Sequence, residues 1–281
     1  MRRRDLIPWE DRGELQQRRI ITTKFREPFR PGSARIFASA RRVCLQAINR
    51  YYRRIVVNIL ALETSTEQCS VALLSGDTLI LRLVNAGQRH SELILPMVKE
   101  VVGEAKLRLS QVDGIAFGAG PGSFTGLRIA CGVAQGLAFG AGIRVAPIGT
   151  LLALAAATRA ERVIACLDAR MGEIYHAAYE WEAGSWREVS APVVCAAEAA
   201  PMLSGDNWLG CGSGFAAYPE ALAQRYRGQL HDTLPGSFPH AREIVKLALP
   251  VFAAGAGLAA EAASPVYVRD RVALTTAEQK R

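Results

Sequence analysis

A long run of small residues, free of charge after its first turn, constrains this chain more than any other feature. Residues 118–142 read GAGPGSFTGLRIACGVAQGLAFGAG. The stretch opens as a glycine loop and continues as a helical pattern, with Ser123 placed to cap the first turn. Gly122, Gly126, Ala130, Ala134, Ala138 and Gly142 recur every fourth residue, which sets them on one slowly drifting helix face. Gly132, Gly136 and Gly140 form a second row. A glycine inside a helix costs roughly 1 kcal/mol relative to alanine. A helix with several therefore needs something lying against its backbone. Tight packing within its own fold and packing against a partner protein both satisfy that need. The glycine-rich start also suits an anion, because free N–H groups and the helix dipole favour negative charge there.

The rest of the chain bounds the setting. The 281 residues, half of them hydrophobic, suffice for one large domain or two ordinary ones. The formal charge of +8 is misleading. Residues 1–56 hold 15 basic and 5 acidic side chains; the remainder holds 19 and 21. The body therefore makes no overall electrostatic case for nucleic-acid binding. Residues 129–143 are apolar but too short for a membrane span, and we expect no membrane association. The six cysteines form no CxxC pair, which argues against zinc spacing or a disulfide framework and for a reducing cytoplasm.

Residues 1–56 differ in character: arginine-rich, broken by Pro and Gly, without periodicity. They read as a nucleic-acid arm, a transit peptide, or the product of a start codon upstream of the natural one. Five acidic residues count against a transit peptide. A start codon read as Val56 or Val57 would make the segment an artefact, and most of 1–54 is expected to be disordered or an isolated helix. A folded pattern begins at Val57. Strands are expected at 58–62, 69–74 and 78–84, a helix at 90–105, and a strand at 112–117 feeding the glycine loop. A short strand at 144–146 and a helix at 149–158 follow. The second half repeats the theme with strands at 162–167 and 174–179. Glu63 and Asp168 each end a buried strand and open a hairpin, which suggests a duplicated α/β unit. A strand at 208–212, a helical region at 241–262 interrupted at Pro250, and an extended 265–269 complete the pattern.

Five pieces in order, ILALETSTEQCSVALL (59–74), HSELILPMV (90–98), GAGPGSFTGLRIA (118–130), LDARMGEIY (167–175) and PVYVRD (265–270), resemble the bacterial TsaB family, also called YeaZ. The resemblance covers about 57–272. It implies an α/β fold of the actin/Hsp70/sugar-kinase (ASKHA) type, with two lobes from a duplicated α/β unit. We place the N-terminal lobe at 57–157, with the partner-binding helices, and the C-terminal lobe at 158–281. It further implies work in tRNA modification, the installation of threonylcarbamoyl on the adenosine beside the anticodon. In that system a TsaD-type subunit is catalytic and a TsaE-type ATPase joins it. The complex uses ATP and Mg²⁺, and tRNA reaches this chain only through the complex. The resemblance gives this subunit a scaffold role without a cofactor of its own. It also makes helices 90–105 and 122–142 the surface that meets the TsaD-type subunit, in a four-helix arrangement.

Candidate interface residues are Leu93, Met97, Val101, Gly122, Gly126, Leu127, Ala130 and Ala134, which offer apolar anchors and close helix approach. Without the partner, such a surface favours a homodimer. No catalytic or metal-binding residue is assigned. TsaD-type enzymes hold a metal with two histidines four apart on the first helix; here His90 is followed by Ile94, so His90 reads as a helix-start or surface residue. No HExxH helix or activated nucleophile is present. The competing reading is an independent small-molecule kinase or ATPase. Its phosphate and nucleotide contacts would come from Glu63, Thr64, Ser65, Gly120, Gly122 and Ser123.

Overall fold

In the computed structural model, residues 57–269 are described together with the backbone of residues 19–24. The apolar alternation that begins at Val57 becomes a meander: β2 (Asn58–Glu63), β3 (Gln68–Ser75) and β4 (Thr78–Asn85), each antiparallel to the next. β1 (Arg19–Lys24) lies antiparallel on the outer edge of β4. These six residues are thus a strand, where disorder or an isolated helix was expected; the other expectations for 1–54 lie outside the described residues. α1 (His90–Glu104) leads to β5 (Gly114–Gly120), α2 (Phe124–Ala141), β6 (Arg144–Gly149) and α3 (Thr150–Ala157). The second half contains β7 (Arg162–Arg170), β8 (Glu173–Glu182), β9 (Ser185–Ala196), β10 (Trp208–Cys211), α4 (Ser213–Ala217), α5 (Pro219–Arg225), β11 (Leu230–Leu234) and α6 (Ala241–Ala253).

The sheet orders are β1-β4-β3-β2-β5-β6 and β11-β10-β7-β8-β9. With β1 set aside, the two sheets share one topology. A three-stranded antiparallel meander begins each; its first strand pairs in parallel with the next strand, and that strand with the last. Helices carry the crossovers from β4 to β5, from β5 to β6 and from β10 to β11. The duplication inferred from two hairpin acids is therefore present in the whole strand order. The copies differ after the meander: α1 follows β4, whereas only a short 3₁₀ turn, Ala197–Ala199, follows β9.

The lobes are joined by hydrophobic packing rather than by chain connections alone. α3 is apolar on every side because it serves two cores. Ala153 joins the core between the first sheet and α6, while Leu151, Leu154 and Ala155 pack with Val163, Ala165, Leu167, Ala177 and Tyr179 of the second sheet. α6 then crosses back and covers β2, β3, β5 and β6 with Ile244, Val245 and Ala248. After it, Leu258 pairs with Val145 of β6. This corrects the lobe boundary at 158–281. Residues between Ala241 and Ala263 complete the N-terminal core, since the apolar stripe of α6 finds its sheet there. The helix also continues through Pro250 to Ala253, where an interruption was expected. A proline removes one helical hydrogen bond near the last turn, and the buried stripe holds the helix regardless.

Among the described residues, no helix is long and apolar enough to cross a membrane. Because Leu154 is fully buried and serves the lobe junction, Leu154→Ala is expected to destabilise the chain by about 2–5 kcal/mol in denaturant unfolding. An unchanged midpoint would contradict this account of the junction.

Candidate functional site

The hairpin turn after β2 and the start of α2 form one knot. Thr64 Oγ1 donates to the Gly126 carbonyl at 2.7 Å, and Ser123 N–H donates to the Ser65 carbonyl at 2.7 Å. Ser123 Oγ accepts from Gly126 N–H at 3.3 Å, capping the helix as its position suggests. Gly120 N–H donates to Thr150 Oγ1 at 3.1 Å. A Cβ on Gly126 would stand 1.9 Å from the Thr64 carbonyl oxygen, and one on Gly122 would stand 2.7 Å from Ser65. Glycines are needed here because backbone lies on backbone.

Glu63 sits beneath this knot and is fully buried. Its Oε1 accepts from Ser65 N–H at 2.6 Å. Its Oε2 lies so close to Gly118 that a Cβ there would be 1.8 Å away, and it has no hydrogen-bond partner. The Ser65 hydroxyl is likewise buried without a partner. Burial pushes the Glu63 carboxyl pKa up, against a smaller lowering from Ser65 and Thr64. The six residues expected to hold phosphate or nucleotide are therefore brought together, with Ser65 N–H engaged by Glu63, Ser123 N–H by the Ser65 carbonyl, and Gly120 N–H by Thr150. The carboxylate faces the Gly118 backbone, which does not fit a solvent-facing Mg²⁺–nucleotide site, so no step is derived through one.

Most of the residues expected at a partner surface face the chain's own fold. α1 lies over β3 and β4, α2 lies over β5, and the two helices touch. Met97, Val101, Gly126, Leu127, Ala130 and Ala134 are buried in the first lobe. Gly122 is half-buried, with Ser65 packed against it. These seven are turned away from a partner in the folded chain, because they lie against its own sheet and the β2–β3 turn. Leu93, the eighth, is half-exposed. The outward faces carry other residues: Leu95, Pro96, Lys99 and Gly103 on α1, and Phe124, Arg128, Gly132, Gly136, Phe139 and Gly140 on α2. Leu95 is 49% and Phe139 79% exposed. Among the described residues, a Cβ added to Gly132, Gly136 or Gly140 would meet nothing within 4 Å beyond its own helix. The two rows of small residues thus face opposite ways. The row holding Gly126 and Ala130 fits α2 to its own fold, and the second row faces outward.

Other groups resolve as structure. His90 starts α1 as expected but is buried, with Nε2–H donating to the Thr66 carbonyl at 2.8 Å; it is no surface residue. His176 in β8 donates from Nε2 to Tyr226 Oη at 2.8 Å, while Tyr226 donates to the Pro201 carbonyl. Burial pushes the His176 pKa down to about 4, which keeps the ring neutral. Asp168 and Arg170 pair at 3.1 Å across their exposed turn, an arrangement worth little energy. Cys69, Cys131, Cys166, Cys195 and Cys211 are free thiols. No cluster suited to a metal occurs among the described residues.

Two outcomes follow from the knot. Glu63 has a folded-state pKa above its ordinary value of 4.5, so its burial penalty is absent at lower pH and grows as pH rises. The stability difference between the unsubstituted chain and Glu63→Gln is expected to move in favour of the variant from about pH 4.5 to neutrality. A flat difference across that range would contradict the burial of a lone carboxylate. Gly126→Ala is expected to destabilise by roughly 1–3 kcal/mol, whereas Gly132→Ala, on the open face, should stabilise by up to about 1 kcal/mol. Thermal unfolding of the two variants checks both signs.

Comparison with known proteins agrees with this geometry. Residues 84–267 match the family model described as TsaD, tRNA N6-adenosine threonylcarbamoyltransferase. The tRNA threonylcarbamoyladenosine biosynthesis protein TsaB of Haemophilus influenzae is 39% identical over 230 residues, covering 77% of this chain and 95% of that protein. The TsaB of Escherichia coli is 38% identical over 226 residues, covering 77% and 96%. The solved structure of YeaZ from Pseudomonas aeruginosa is 39% identical, with a TM-score of 0.70 over 75% of this chain and 99% of that one. The family model bears the TsaD name, while these full-length relatives are TsaB or YeaZ proteins, and this chain has Ile94 four residues after its single helix-start histidine. With a fold, a length of match and a first helix all of that kind, the chain belongs to the TsaB (YeaZ) family.

Proposed function

We propose that this chain is the non-catalytic scaffold subunit of the tRNA threonylcarbamoyladenosine modification complex. It dimerises with the TsaD-type catalytic subunit through the outward faces of α1 and α2. The observation that carries this reading is the outer glycine row. Gly132, Gly136 and Gly140 lower the stability of α2, and among the described residues nothing outside the helix lies against them. Such a row makes physical sense when a partner helix approaches closely, with Leu95 and Phe139 as apolar contacts beside it. The relatives' names place them in threonylcarbamoyladenosine biosynthesis, which supports the same assignment here. ATP and Mg²⁺ are used by the complex, the TsaE-type ATPase joins it, and tRNA is met through the complex. Self-association of the outer faces accounts for a homodimer when the partner is lacking. The setting is cytoplasmic.

The engaged knot around Glu63 supports a scaffold over an enzyme, because the Ser65, Gly120 and Ser123 N–H groups that a phosphate would use are already bonded. The unpartnered Glu63 Oε2 and Ser65 Oγ favour the competing reading, an independent kinase or ATPase. Co-purification with the same organism's TsaD-type subunit separates the two. The scaffold reading expects a stable complex whose tRNA-modifying activity needs both proteins. Gly136→Trp should abolish that complex while leaving the isolated chain folded, since the position is open to solvent. Mg²⁺–ATP hydrolysis by the isolated chain, lost in Glu63→Ala, would overturn the scaffold reading.

A further inference from the structure

Three of the five sequence pieces that carry the family resemblance converge at the N-terminal end of α2. Phe124 and Arg128 come from the glycine-loop piece, Tyr267 and Arg269 from the PVYVRD piece, and Met171, Glu173 and Tyr175 from the second-lobe hairpin. Val266 N–H donates to the Ala119 carbonyl at 2.7 Å, which lays the C-terminal segment along the end of β5. Arg269 reaches across to Glu173 at 2.5 Å and stands over the Tyr175 ring. Tyr267 is thereby fixed against α2, with its ring centre 5.4 Å from that of Phe124.

Arg128 is held in this frame. Its guanidinium carbon lies 3.7 Å from the Phe124 ring centre, and its Nε donates to Tyr267 Oη at 3.0 Å. Stacking of this kind orders a guanidinium without neutralising it. Arg82, Arg162, Arg187, Arg242 and Arg269 each have a carboxylate partner. The contacts of Arg128 among the described residues are aromatic, and the residue is exposed. Phe124 and Tyr267 beside it are 36% and 46% exposed.

The position of the cluster identifies its occupant. Phe124, Arg128, Gly132, Gly136 and Gly140 are all exposed and fall four apart, so they form one row about 24 Å long. A partner segment lying on the glycines runs directly onto Arg128. We propose that Arg128, held by Phe124 and Tyr267, is a pre-ordered anchor for a carboxylate that the TsaD-type subunit presents at the end of this row. The inference rests on the scaffold reading above and adds the polar anchor to it. Tyrosine and arginine, ringed by partly exposed apolar side chains, are the residue types in which interface energy concentrates.

The test is titration calorimetry of the full chain with the TsaD-type subunit at low and high salt. Arg128→Gln is expected to weaken binding about 30-fold or more, to flatten the salt dependence, and to leave the isolated chain folded. Arg128→Lys should not restore affinity, because an ammonium lacks the planar fork. Tyr267→Phe, which keeps the stack and removes the Nε contact, should fall between. Unchanged affinity and salt slope in Arg128→Gln would overturn the anchor. If Gly136→Trp blocks binding and Arg128→Gln does not, the helix-face reading stands and the anchor falls. If the unsubstituted chain does not bind the subunit, both fall. ADP or ATP binding by the isolated chain, abolished in Arg128→Gln, would replace the carboxylate with a phosphate and overturn the proposal.

Discussion

The contact between Gly126 and the Thr64 carbonyl organises the N-terminal lobe. It presses the first turn of α2 onto the β2–β3 hairpin so closely that no side chain fits between them. The helix direction, the burial of Glu63, and the path of the glycine loop all follow from that approach. So does the division of α2 into an inner and an outer row. Small residues on the inner row are needed for the helix to lie at that distance, and Ala130, Ala134 and Ala138 are fully buried there. The outer row has no such cause among the described residues, and the proposed partner surface is built on it.

A second constraint acts between the lobes. In a duplicated α/β architecture the cleft between copies is where ligands are usually held. Here α3 fills the junction with Leu151 and Leu154, and α6 crosses from the second half to cover the first sheet. The C-terminal segment adds a further tie through Val266, Tyr267 and Arg269. The fold retains the acid at the end of its first strand but surrounds it with its own backbone. The proposed scaffold role accordingly uses the outside of α1 and α2 rather than the cleft.

Much of this architecture was legible in the sequence, and the misses have physical causes. β2, β3, β4 and α1 follow from alternation and turn residues, and the α2 cap follows from Ser123. β9 was missed because it is half-exposed, mixed in composition, and contains Pro192. α4 and α5 are too short for periodicity to register. The inward placement of most expected interface residues was not legible for a different reason. Gly126 and Gly132 look alike in sequence, and only the position of the sheet decides which row is inside. The clustering of Arg128 with Tyr267 spans 139 positions and left no local signal. Both sequence pieces were visible, but not their meeting.

The most direct measurement is hydrogen exchange of the full chain, alone and with the TsaD-type subunit added. The account predicts new protection confined to the outward turns of α1 and α2, from Leu95 to Gly103 and from Phe124 to Gly140, with the second sheet unchanged. Protection confined to the second sheet or to the Glu63 hairpin, or no protection at all, would contradict it.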